Sequence, residues 1–152
     1  MSRPALLDVN VLLALFLAEH EHHEIAHDWF ADHHENGWAT CPLTENGFVR
    51  LLSNPTSLPV RLPPSELLDS LRKFCASGHH VFWPDSISLR DSKIFNQSSV
   101  RGHRQLTDIY LLGLAKRMGG KLATFDRSIP LGAVVGATRA MLAVLSPGDD
   151  ER

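Results

Sequence analysis

Short apolar runs alternate with segments of helical periodicity along this chain, a pattern that leaves few architectures open. Residues 5–9 suit a buried strand, and residues 10–18 read as a helix. Ile25, Trp29 and Phe30 recur at helical spacing within residues 22–34, and Asn36-Gly37 supplies a stop. Residues 38–43 form a second strand candidate broken at Pro42, and Thr44 is a suitable N-cap for a helix ending at Asn54-Pro55. A loop with four prolines follows over residues 55–64. Ser65 then stands as the cap of a helix over residues 66–76, whose Leu67, Leu68, Leu71 and Phe74 share a face before the stop at Gly78. Residues 80–83 give a third strand candidate. Thr107 caps a helix running to Met118, closed by Gly119-Gly120, and residues 121–125 and 141–145 complete the strands. Strands separated by helices in this way predict parallel βαβ units, that is, an α/β fold with helices on both faces of a central, mainly parallel sheet.

At 152 residues the chain is expected to form one domain over residues 1–146, with 147–152 a short frayed tail. Its hydrophobic and charged fractions, 43% and 21%, are those of a soluble globular protein. The apolar run at residues 11–18 is too short to span a bilayer, and Asp8 and Asn10 interrupt the place where a signal peptide's apolar region would begin. Cys41 and Cys75 lie far apart without C-x-x-C spacing, which reads as two small buried side chains in a reducing, cytoplasmic setting. A formal charge of −2 rules out a bulk basic signature for nucleic-acid binding. Charge is nevertheless uneven: Arg90, Lys93, Arg101, His103 and Arg104 face only Asp91 in the same stretch.

Four acids fall where an α/β sheet places chemistry. Ligands of open α/β sheets bind beyond the carboxyl ends of the strands. Asp8 lies near the end of the first strand, and Asp126 directly follows the last residue of the run Leu122-Ala123-Thr124-Phe125. Glu45 and Asp108 each sit in the first turn of a helix, where an acid also suits the helix dipole and needs no further role. Taken as a set, all four fit one rim of the expected sheet. Carboxylates so grouped repel one another and repel a phosphodiester, and Mg²⁺ or Mn²⁺, which prefer oxygen ligands, resolves both conflicts. One such ion, or two about 3.5–4 Å apart, can activate water and balance charge on a scissile phosphate. The chain has neither a G-x-S-x-G nucleophile elbow nor a P-loop, so cation-assisted phosphodiester hydrolysis fits better than covalent or nucleoside-triphosphate chemistry.

A rival motif lies at residues 23–27. His23-Glu24-Ile25-Ala26-His27 matches H-E-x-x-H, the zinc signature of many metalloproteases. The extended pattern needs a glycine where Phe30 stands, and without that break His33 is rotated roughly 600°, or about 120° off the shared face, from His27. With His20, His22 and His34 nearby, residues 20–34 read as a histidine-rich solvated surface, open to adventitious metal, in preference to a protease centre.

The segments around the four acids resemble a known family. Leu6-Leu7-Asp8-Val9-Asn10-Val11-Leu12-Leu13 is similar to the opening of PIN-domain nucleases, especially the VapC toxins of bacterial toxin–antitoxin pairs. Thr44-Glu45-Asn46-Gly47-Phe48-Val49-Arg50-Leu51-Leu52 resembles the second motif of that family, Leu106-Thr107-Asp108-Ile109-Tyr110-Leu111-Leu112-Gly113-Leu114-Ala115 the third, and Leu122-Ala123-Thr124-Phe125-Asp126 the fourth. The resemblance spans residues 6–145 and is weakest over 82–105. It implies a PIN-like (Rossmann-like) three-layer α/β/α sandwich and an endoribonuclease whose catalytic, metal-binding acids are Asp8, Glu45, Asp108 and Asp126, with Asn10 in support. It further implies Mg²⁺ or Mn²⁺ (one or two ions), an RNA substrate, a homodimer and inhibition by a VapB-type antitoxin. His103 and Arg104, just before Asp108, are candidates for contact with RNA phosphate. Two other readings remain open at this level: a housekeeping RNA-processing nuclease, and a non-catalytic module that binds RNA or a partner.

Overall fold

The computed structural model describes residues 3–54 and 62–146. Most of the expected proline-rich loop and the expected tail at 147–152 therefore lie outside the described residues. In chain order the elements are β1 (Ala5–Leu7), α1 (Val9–Phe16), α2 (His23–His33), β2 (Trp38–Thr40), α3 (Pro42–Ser53), α4 (Pro64–Cys75), β3 (His80–Phe82), α5 (Leu106–Arg117), β4 (Lys121–Thr124) and β5 (Leu142–Val144). The five strands form one parallel sheet in the order β3-β2-β1-β4-β5.

Alternation along the strands divides the core into two layers, as successive side chains of a strand point to opposite faces. Leu6, Ala39 and Leu122 pack with Ile109, Leu111, Leu112 and Leu114 of α5. Ala5, Leu7, Trp38 and Ala123 pack on the other face with α1, α3 and α4. This is the three-layer sandwich that the pattern predicts. The central strand β1 is apolar at every position because both of its faces are covered.

Helix α5 is buried from Ile109 to Ala115 and has no polar stripe. The sheet lies under it, and the connecting segments carrying Trp83, Phe95, Ile129 and Val134 lie over it. Gly113 permits this second cover: a Cβ there would stand 2.5 Å from the Phe95 ring. Residues 82–105, least like the family in sequence, are thus a largely exposed crossover from β3 to α5, anchored by buried Trp83 and Phe95 and pinned by Tyr110 Oη donating to Asp85 Oδ1 at 2.9 Å.

Three helix starts differ from the expected ones. Helix α3 begins at Pro42 with Cys41 as its cap, so β2 ends at Thr40 and does not continue to Leu43. Proline is pre-shaped for a first helical position, and Thr44 serves as the third residue, its hydroxyl accepting from the Cys41 N–H at 3.0 Å. Helix α4 likewise begins at Pro64, placing Ser65 inside the first turn. Helix α5 grows directly out of the 3₁₀ turn His103–Gln105, so Thr107 sits within the helix and does not cap it. Among the described residues no helix is long and apolar enough to cross a membrane.

Candidate active site

The strand order reverses at the centre of the sheet. From β1 the chain builds outward through β2 to β3, and β4 then returns to the other side of β1. The carboxyl ends of β1 and β4 therefore flank the crevice in which doubly wound sheets bind ligands. Asp8 is the first residue past β1 and Asp126 the second past β4.

Asp8 is only 5% exposed, and its carboxylate is fixed at both oxygens. Oδ1 accepts from the Val9 N–H at 2.7 Å, and Oδ2 accepts from the Thr124 hydroxyl at 2.7 Å. The same Thr124 oxygen accepts from the Asp126 N–H at 3.1 Å and from Asn10 Nδ2 at 3.4 Å. Asn10 Oδ1 in turn accepts from the Phe125 N–H at 3.5 Å, so Asn10 joins the first turn of α1 to the end of β4. Asp126 Oδ1 accepts from both the N–H and the hydroxyl of Ser128, at 2.8 and 2.7 Å. Asp108, in the first turn of α5, brings its carboxyl close enough to interact with both Asp8 and Asp126.

Electrostatics separates the three acids. Burial pushes the Asp8 carboxyl above its ordinary value, opposed by the hydrogen bonds from Thr124 and Val9. The Ser128 hydrogen bonds hold Asp126 below the usual carboxylate range. Asp108 is pushed up to about 7, by burial first and then by the charges of Asp8 and Asp126. Among the described residues no lysine or arginine pairs with any of the three; the ion pairs are Glu21–His22, Asp69–Arg72 and Asp69–Lys73. A partly buried, all-oxygen cluster without a protein cation suits a hard divalent ion.

Glu45 stands apart from this trio. Its Oε2 accepts from the Thr40 hydroxyl at 2.6 Å, and its carboxylate lies beside Cys75 and His80. Thr40 shares the strand face of Trp38, the face covered by α1, α3 and α4. Three of the four expected acids are thus brought together, and the fourth is held by β2. His103 and Arg104 are exposed on the turn leading into α5, four and five residues before Asp108 in the case of Arg104 and His103 respectively.

The H-E-x-x-H histidines are engaged elsewhere. His23 Nδ1 meets the Ala14 carbonyl at 2.6 Å and His27 Nε2 meets the Leu15 carbonyl at 3.0 Å. Both rings satisfy carbonyls at the C-terminal end of α1, which helix geometry leaves without partners. A cavity of about 520 Å³ between α2 and β5, bordered by Glu24, Asp28 and Trp29, contains none of the aspartate trio.

Sequence reading overlooked Thr124 as a functional residue. It is a fully buried polar side chain at the end of a strand whose other positions are apolar or at the sheet margin, and that mismatch is the signal that marks it.

Comparison with known proteins agrees with this arrangement. The family model described as PIN domain matches residues 5–132. The chain is 45% identical over 141 residues to Ribonuclease VapC44 of Mycobacterium tuberculosis, covering 93% of this chain and 99% of that protein. It is 40% identical over 137 residues to Ribonuclease VapC39 of the same organism, covering 90% and 99%. With Ribonuclease VapC38 it shares 44% over 125 residues, covering 82% and 86%. With the family model spanning most of its length and these relatives aligned almost end to end, the chain belongs to the PIN-domain family and, within it, to the VapC ribonucleases.

Proposed function

We propose that this protein is a metal-dependent endoribonuclease, the toxin of a VapBC-type toxin–antitoxin pair, acting as a single nuclease domain over residues 1–146. The observation that carries this reading is the convergence of Asp8, Asp108 and Asp126 at the topological switch point, with Asp108 pushed up to about 7 by burial and by the charges of the other two. Relatives named ribonuclease VapC support the choice of RNA as substrate.

Asp8, Asp108 and Asp126 would hold Mg²⁺ or Mn²⁺, as one or two ions. Such an ion supplies Lewis acidity, making water a competent nucleophile at neutral pH and balancing charge on the phosphate. The chain's own residues do the rest. Thr124 and the Val9 N–H keep the Asp8 carboxylate in one orientation, and Ser128 does the same for Asp126. Asn10 supports both through β4. Asp108, the acid whose charged form burial and its neighbours most disfavour, would be the one most relieved by a bound cation. Glu45, held by Thr40 in this structure, would bind the ion through water or help to orient the nucleophilic water. His103 and Arg104 lie exposed at the approach to Asp108, where they can meet RNA phosphates. The reading extends to a cytoplasmic homodimer silenced by a VapB-type antitoxin.

Cleavage of total RNA, with ends mapped by sequencing, tests the proposal. Wild type with Mg²⁺ or Mn²⁺ should cut, and EDTA, Asp8→Asn and Asp108→Asn should each abolish cutting while circular dichroism stays native. Cleavage that survives all three sinks the reading. Tight RNA binding without cleavage, in added Mn²⁺, favours a binding module. An open reading frame for a small partner directly upstream of the gene separates a toxin from a housekeeping nuclease.

A further inference from the structure

A second group of metal-ligating side chains lies on the opposite face of the sheet from the α5 layer. Glu45 of α3, Cys75 at the end of α4 and His80 at the start of β3 each offer a donor atom, and these atoms lie within 4.8 Å of one another. All three are partly buried. Cys75 and His80 are separated by a tight reversal in which Gly78 and His79 both take positive φ, at 98° and 62°. That reversal folds the end of one helix back beside the first residue of a strand. His79 pays a steric cost for a conformation that few side chains adopt.

Thr40 organises the group from below. Its buried hydroxyl donates to Glu45 Oε2 at 2.6 Å and lies 2.8 Å from His80 Nε2, with the Cys75 thiol also in contact. The donors are therefore gathered around one hydroxyl on rigid elements, so little further ordering is needed to bind an ion. Their chemistry differs from that of the aspartate trio. One sulfur, one nitrogen and one oxygen suit a borderline-soft ion of the zinc class, whereas Mg²⁺ and Mn²⁺ prefer oxygen alone. Three protein ligands leave a fourth position for water.

We propose that Glu45, Cys75 and His80 form a second, zinc-class metal site whose occupation keeps Glu45 at β2, away from the aspartate trio, and so restrains cleavage. The restraint rests on the nuclease reading above; the metal site does not. On binding, the Cys75 thiol releases its proton to solvent, and the ion takes over contacts that Thr40 now makes. Because Glu45 cannot serve both places at once, occupation of this site and assembly of the full four-acid centre exclude each other. A zinc-class ion then acts as a brake, and its removal frees the fourth acid.

The experiment is a titration of the full chain with Co²⁺, followed by absorption. Binding through Cys75 gives a near-ultraviolet thiolate-to-cobalt band with the visible bands of a tetrahedral ion, displaced by added Zn²⁺. The band should persist in Cys41→Ser and in Asp108→Asn, since Cys41 lies in the α5 layer and Asp108 in the other site. It should vanish in Cys75→Ser, and His80→Ala should weaken binding at least about tenfold, because losing a ligand costs no less than losing its outer-shell support. Absence of a thiolate band in folded wild type, or its persistence in Cys75→Ser, overturns the site. Cleavage supplies the second arm: Zn²⁺ added over Mg²⁺ should inhibit wild type and leave Cys75→Ser active. Equal inhibition of both overturns the brake. An inactive wild type without zinc, beside an intact cobalt band, would instead implicate the nuclease reading.

Discussion

Replacing Asp108 by asparagine should stabilise the metal-free protein while destroying its activity. In the folded chain Asp108 is pushed up to about 7 from an ordinary 3.8. Between those values the folded state keeps a proton that the unfolded chain releases, so metal-free stability falls as pH rises through this window and the full cost is present above pH 7. Each decade is worth about 1.4 kcal/mol, so a fully expressed shift of about three decades costs about 4 kcal/mol. Asp108 is only half-buried, and solvent screening reduces this to about 2 kcal/mol. Asparagine fills the same space and carries no charge at any pH, so it removes that cost. For a domain of this size the gain corresponds to a rise in Tm of about 4–8 °C at pH 8 in EDTA. At pH 5 only about a third of the window has been crossed, and the gain should shrink in proportion. Thermal unfolding of both proteins at the two pH values measures this directly. Adding Mn²⁺ should raise the Tm of wild type and move Asp108→Asn far less. Were Asp108→Asn less stable than wild type at pH 8 in EDTA, or equally shifted at both pH values, the cost of holding a buried, crowded charge at Asp108 would not be what governs this site.

Thr124→Val removes the hydroxyl that holds Asp8 and the Asp126 N–H, and should cost about 1–3 kcal/mol through unsatisfied buried groups. It should lower kcat more than KM, which steady-state cleavage of a short RNA will show. Gly113→Ala forces a methyl against the Phe95 ring and should destabilise by about 1–3 kcal/mol in urea unfolding, with the aspartates untouched. Apparent Mn²⁺ affinity should fall about tenfold per pH unit below 7 as the Asp108 proton competes with the ion, and level off above it; calorimetric titration across pH 5–8 checks the slope. His23→Ala and His27→Ala should each cost about 0.5–1.5 kcal/mol, by freeing carbonyls of α1, and leave RNA cleavage intact.

Periodicity made the parallel sheet and its helices legible, because the central strands are apolar for a local reason: both of their faces are covered. Helix starts were less so. Thr44, Ser65 and Thr107 each look like caps, yet Pro42 and Pro64 begin their helices earlier, and a 3₁₀ turn runs straight into α5. Position along the chain could place Asp8, Asp108 and Asp126 on one rim, since strand ends and helix starts meet there in any doubly wound sheet. It could not show that Glu45 turns to Thr40, which depends on a side-chain torsion and on Cys75 and His80 arriving from other elements. Nor could it tell that the two histidines of the zinc-protease motif end up against α1 carbonyls, a contact set by how α2 packs.

The reversal of strand order has a consequence for how the protein is made. Residues 5–82 supply β1, β2 and β3, with Asp8 and Glu45, while Asp108 and Asp126 arrive only with α5 and β4. Because β4 must insert beside the strand laid down first, Asp8 gains its Thr124 partner only after β2, β3 and α5 have been made. Chains emerge from the ribosome N-terminus first. A nascent chain that has exposed its first three strands therefore carries no assembled trio, and a truncated product carries none at any time. For an RNA-cutting enzyme synthesised on a machine built of RNA, late closure of the site is a form of protection written into the order of its strands.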